Sequence, residues 1–113
     1  MIEKIILDWL SAELDTPVYL EEPKELPEEY VLIDKLGSAE NDLITSATIA
    51  VQSYSASLYG AAELNAKVKK AMAESVSQSD ICRCVCTSDY NYTDTETKRY
   101  RYQAVFDITY YEE

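Results

Sequence analysis

A chain of 113 residues carrying a net charge of −11 has the length of one domain, residues 1–113, and enough surface to bury for a core without staples. The charge argues against non-specific binding to nucleic acid or to an anionic membrane. No apolar run approaches the ~20 residues that a spanning helix needs. No secretory leader is expected, because Met1 to Leu14 is amphipathic and carries Glu3 and Asp8, so the chain is expected to stay inside the cell that makes it.

The amphipathic stretch comes first. Ile2, Ile5, Ile6, Trp9, Leu10 and Leu14 fall at helical spacing with Glu3, Lys4, Asp8 and Ser11 between them, which predicts a helix of about three turns packed on the protein's own sheet. Asp15-Thr16-Pro17 ends it, since a residue before proline avoids the helical region. Val18-Tyr19-Leu20 reads as a short strand. Glu21 to Glu29, with Pro23 and Pro27, is too polar for a core and too broken for regular structure, so it is expected to be a surface loop. Tyr30 to Lys35 is a second strand, placed centrally because its near-continuous apolar run suits burial on both faces. A polar turn is expected from Gly37-Ser38 to Asp42.

Leu43 to Tyr54 is a third, long strand with Ala47, Ile49 and Val51 on one side and Thr48, Ala50 and Gln52 on the other. Ser55 or Ser57 is positioned to cap a helix. That helix has Leu58, Ala61, Ala62, Leu64, Val68, Ala71 and Met72 as its apolar stripe, and Glu63, Asn65, Lys67 and Lys70 outside. Ile81 to Thr87 is a fourth strand, Ser88 to Thr97 a polar loop, and Lys98 to Tyr111 the last strand. Tyr100, Tyr102, Ala104, Phe106, Ile108 and Tyr110 alternate there with Arg99, Arg101, Gln103, Val105, Asp107 and Thr109, so one face is buried. Fourteen extended residues span roughly 46 Å, far more than a compact radius of ~13 Å, so the arginine-rich start of the hairpin is expected to protrude. The fold class is therefore α+β: a mixed, mostly antiparallel sheet of about five strands with two packed helices, in the order α-β-β-β-α-β-β, closed by a long C-terminal hairpin.

Little in the chain points to chemistry. There is no histidine, and the two glycines, Gly37 and Gly60, form no phosphate loop. No cofactor or metal is expected, and the protein is not read as an enzyme. Cys82, Cys84 and Cys86 alternate, so all three are expected on one strand face, as small apolar core groups rather than as ligands. Asp89, Asn91 and Asp94 have the spacing that opens a calcium loop but lack its glycine and its terminal glutamate. Asn91-Tyr92-Thr93 is a formal glycosylation sequon, irrelevant without secretion. Twelve acids fall in residues 1–42 against Lys4, Lys24 and Lys35, whereas residues 43–79 hold Glu63 and Glu74 against Lys67, Lys69 and Lys70. Such asymmetry suits packing of copies against one another; a solvated acidic loop accounts for it as well.

Taken together, the first helix, Tyr30-Val31-Leu32-Ile33, the strand ending Gln52-Ser53-Tyr54-Ser55, the helix with Leu58 and Ala61-Ala62-Glu63-Leu64, and the closing Lys98-Arg99-Tyr100-Arg101-Tyr102-Gln103-Ala104-Val105-Phe106-Asp107 resemble the tail-terminator (tail-completion, or minor tail) proteins of long-tailed bacteriophages. The resemblance covers nearly the whole chain in element order. It implies a sheet with helices packed on it and a hexameric ring of copies that caps the tail tube and joins it to the head connector. It also implies a place in the virion at the head–tail junction, with assembly in the host cytoplasm. The expected partners are further copies, the tube protein and the head connector, with no sequence-specific nucleic acid and no membrane. The acidic loop and the cysteine triplet have no place in the family's pattern. Candidate subunit-interface residues are Asp89, Tyr90, Tyr92, Asp94, Arg99, Arg101, Gln103 and Asp107. Two other readings stand beside this one: a head-side connector or stopper, and an acidic DNA mimic that would inhibit a DNA-processing enzyme.

Overall fold

The structure, a computed structural model, describes residues 1–41, 44–97 and 99–111. Helix α1 (Ile2–Glu13) is followed by β1 (Val18–Tyr19), β2 (Tyr30–Asn41), β3 (Ile44–Ser55), α2 (Leu58–Ala73) with a short 3-10 turn at Glu74–Ser77, β4 (Ile81–Asn91) and β5 (Tyr100–Tyr111). The five strands form one sheet in the order β1-β2-β3-β5-β4. Only the β1–β2 pair is parallel; the other three are antiparallel. This is the expected α+β architecture, with its elements in the expected order.

Strand parity sorts the side chains. Ala47, Ile49 and Val51 of β3 stand beside Ile108, Phe106 and Ala104 of β5, and all six are buried on the face that α1 and α2 cover. From α1 come Ile2, Ile6 and Leu10; from α2 come Ala61, Leu64, Val68, Ala71 and Met72. The alanines keep α2 close to the sheet. Ser57 caps α2, its Oγ accepting from the Gly60 N–H at 3.0 Å and so satisfying one of the unpaired first-turn donors. A Cβ on Gly60 would lie 2.3 Å from Ser55 Oγ, so a larger residue at this helix start would have to displace the Ser55 side chain at the end of β3. The Trp9 indole donates to the Ala71 carbonyl at 2.8 Å, fastening α1 to the last turn of α2.

Several expectations need correction. Strand β2 does not turn at Gly37: it continues to Asn41, with a register shift between Lys35 and Gly37. It is also less central than its apolar start suggested. Its neighbour β1 pairs only with Val31 and Leu32, so the outer side of β2 is an open sheet edge from Ile33 onward. Asp34 through Glu40 are all exposed. Strand β4 runs to Asn91, taking in the first part of the expected polar loop. Of the three cysteines, Cys84 and Cys86 do share a face, opposite Ile108 and Phe106, but a register shift between Ile81 and Arg83 makes Cys82 the extra residue of a bulge. Cys84 packs against the core, while Cys82 and Cys86 are exposed. On α2, Leu58 is exposed and Asn65 is buried, the reverse of the expected stripe. The arginine end of β5 does not project from the sheet: Tyr100 and Arg101 pair with Ser55 and Tyr54 of β3.

Trp9→Phe keeps the ring in the core and removes one hydrogen bond. It is expected to lower the unfolding free energy by about 1 kcal/mol in urea titrations with an unchanged m-value.

Candidate functional site

The helices cover one face of the sheet. On the other face, register places Tyr30 opposite Tyr54, Tyr54 opposite Arg101, Gln52 opposite Gln103, and Gln103 opposite Tyr90. The side chains join across these pairs. Arg101 Nη1 donates to the Tyr54 hydroxyl at 2.9 Å, which donates to Gln52 Oε1 at 2.9 Å. Gln52 Nε2 donates to Gln103 Oε1 at 2.8 Å, and Gln103 Nε2 donates to the Tyr90 hydroxyl. Every bond runs in the same donor-to-acceptor sense, so each polarises the next.

Aromatic and cationic planes stack on this ladder. Tyr30 and Tyr54 lie face to face at 4.4 Å and 7°. Arg99 lies over the Tyr54 ring at 4.9 Å and Arg101 over the Tyr92 ring at 4.4 Å. Arginine over an aromatic face contributes on the order of 0.5–2 kcal/mol, more as water is excluded. Tyr30 and Tyr54 are themselves almost fully buried, although they lie on the face the helices leave uncovered. The cover comes from the acidic loop between β1 and β2. Glu22 pairs with Arg99 and accepts from the Tyr30 hydroxyl, Arg99 also donates to Tyr30, and Glu29 accepts from Ser55 Oγ at 2.9 Å. Leu26, Pro27 and Glu28 line a cleft of about 210 Å³ with Tyr30, Tyr54, Ser55, Arg99 and Tyr100.

The electrostatics follow from these contacts. The Arg99 guanidinium holds the Glu22 carboxyl below its usual value of 4.5. Burial pushes the Tyr30 phenol up to about 12, against the opposing pull of Arg99. Burial also raises the Cys84 thiol, and burial followed by Asp89 raises Cys86, so neither is an activated nucleophile.

The candidate interface residues fall in four places. Tyr90, Tyr92, Arg99, Arg101 and Gln103 come together in the ladder, with Arg99 and Arg101 turned inward onto tyrosines rather than outward. Asp107 shares their face and accepts from Thr48 Oγ1 at 3.1 Å, but at the other end of the sheet. Asp89 faces the helices, bound by Asn65 at 3.2 Å and Lys69 at 3.1 Å, and Asp94 shapes the hairpin tip by accepting from the Glu96 N–H at 3.0 Å. Sequence reasoning did not identify Glu22, Tyr30, Gln52 and Tyr54 as part of this surface. The shared parity of Gln52 and Tyr54 was visible, but what lies across from them depends on strand order.

The far end of the same face is low. Gly37, Ala39, Ser46, Thr48, Asp107, Thr109 and Arg83 border a shallow hollow of about 470 Å³. A separate cleft of about 290 Å³ between the ends of α1 and α2 mixes Glu13, Asp15 and Glu74 with Lys67 and Lys70. Among the described residues, no three metal-ligating side chains converge, and no helix is long and apolar enough to cross a membrane. The chain matches no protein-family model and none of the curated proteins.

Acid is expected to release the loop. A depressed folded-state pKa means that Glu22 contributes its full stabilisation above its unfolded value of 4.5 and loses it as pH falls through the lower folded value. Near-ultraviolet circular dichroism of the tyrosines should show this as a step below pH 4.5, and Glu22→Gln should remove it. At the alkaline end, Tyr30 should resist ionisation until about pH 12, and Tyr30→Phe should reduce the late absorbance change.

Proposed function

We propose that this chain is a phage structural subunit without enzymatic activity, which forms a ring at the head-proximal end of the tail tube, ends tube growth and docks to the head connector. The observation that carries the reading is the uncovered sheet face. It holds a pre-ordered ladder of tyrosine, arginine and glutamine side chains, in which the β1–β2 loop buries Tyr30 and Tyr54 and leaves Tyr90 and Tyr92 exposed to a partner. Tyrosine and arginine are the residues that dominate protein–protein contacts, and their rotamers are already fixed here, so little side-chain entropy is lost on docking. The resemblance noted in the sequence supplies the kind of assembly, and the α+β fold with helices on one face is the one that resemblance implies. The acidic loop stabilises its own domain through Glu22 and Glu29, which favours the structural reading over a DNA mimic that would present those carboxylates to a partner.

Mixing the subunit with the tail-tube protein of the same phage, followed by electron microscopy, tests the proposal. Tubes of limited length with density seated on one end are the expected result. Uncapped tubes of unrestricted length would overturn termination; binding to the head connector alone would then identify a stopper.

A further inference from the structure

The sheet has two open edges, and they lie at the same level. Along the register, Gly37 stands in line with Thr48, Asp107 and Val85; Ser38 with Ala47, Ile108 and Cys84; and Ala39 with Ser46, Thr109 and Arg83. The free run of β2 and the free run of β4 are therefore opposite ends of the same rows. The strands also run in opposite directions, since three antiparallel steps separate them.

We infer that β2 of one copy pairs antiparallel with β4 of the next, Gly37 opposite Val85, Ser38 opposite Cys84 and Ala39 opposite Arg83. This deepens the ring reading and rests on it. A neighbour placed by rotation alone, with no slide along the strands, meets this register directly. The contact joins two different surfaces, the kind of interface that closes rings. Parity agrees: Gly37, Ala39, Arg83 and Val85 all belong to the uncovered face, and Ser38 and Cys84 to the helix face.

The seam is bounded on both strands. Upstream, β1 occupies β2 at Val31 and Leu32. The register shift between Cys86 and Ser88 lies at the level of Asp34 and Lys35, so an incoming β4 is bent before it would reach β1. The run Arg83 to Val85, between β4's two bulges, faces the regular run of β2 beyond its own bulge. Sheet edges are ordinarily guarded by proline, charge or cover, and Gly37-Ser38-Ala39 has none of these. No like charges meet: Arg83 is the one charge on its side of the three pairs, and Glu40 follows Ala39. The low end of the uncovered face leaves room for the Arg83 side chain of the arriving copy above Gly37 and Ala39.

Directly opposed residues on paired strands have Cα atoms about 4.5–5.5 Å apart, within the range of about 4.4–6.8 Å that a disulfide spans. The test is therefore a double substitution, Ala39→Cys with Arg83→Cys, in a chain whose exposed Cys82 and Cys86 are serine. Oxidation under assembly conditions is expected to give a ladder of linked subunits on non-reducing gels from the double variant and none from either single variant. Rings visible by microscopy but never cross-linked would overturn the seam and leave the ring reading standing. Monomers throughout, with and without the tube protein, would overturn both. A charge exchange gives a second check: Ala39→Arg should weaken self-association about fivefold, and adding Arg83→Glu should restore it. Loss in both variants would count against the seam.

Discussion

The pairing of β3 with β5 is the constraint on which the rest of the molecule depends. Twelve residue pairs, from Ile44–Tyr111 to Ser55–Tyr100, fix which side chains of both strands face the helices. A slip of one residue would send Phe106 and Ile108 to the open face and Gln103 and Val105 into the core. The burial of Ile49, Val51, Phe106 and Ile108 under α1 and α2 makes that slip prohibitively costly. The same register that builds the core therefore builds the ladder on the other side, by setting Tyr54 against Arg101 and Gln52 against Gln103. Core and surface are two readings of one alignment.

Charge plays a secondary but specific part. An excess of eleven negative charges is self-repulsive, and the fold places cations where they offset it. Arg99 faces Glu22, Lys69 faces Asp89 at 3.1 Å, and Lys35 reaches Glu3 at 3.7 Å. These pairs are partly exposed and individually weak. Glu22 matters more than its exposure suggests because it joins a proline-broken loop to the stacked tyrosines beneath, where Arg99 and Tyr30 already hold each other. The loop is thus a cover as well as a solvated tether.

Much of the fold could be read from alternation. From Ala104 onward the last strand's even-numbered residues are the buried ones, Ala47, Ile49 and Val51 share a face as expected, and both helices were visible in their spacing. What periodicity lacks is information about neighbours. The extension of β2 past Gly37 is polar and small, a composition that reads as a turn, and it is held in the sheet by β3 rather than by propensity. The bulge at Cys82 inserts one residue and breaks the parity that put three thiols together. Asn65 is buried because Asp89 reaches it from another strand. For the candidate site, its β4 and β5 half was found from arginine and tyrosine content. Its β2 and β3 half, Tyr30, Gln52 and Tyr54, was not, because only the register shows who stands opposite whom.

Strand order also has a consequence in time. Strand β5 follows β4 in the chain but inserts between β3 and β4, so the middle of the sheet is filled after both of its flanks have been made. Until it arrives, β3 lacks one neighbour and α2 lacks the part of its floor that Ala104, Phe106 and Ile108 supply. Most of the core contacts then form across large sequence separations, which slows folding and prolongs the exposure of unpaired strands. For a chain that displays open edges even when folded, this makes nascent copies a hazard to one another, and slow synthesis or chaperone cover the natural remedy.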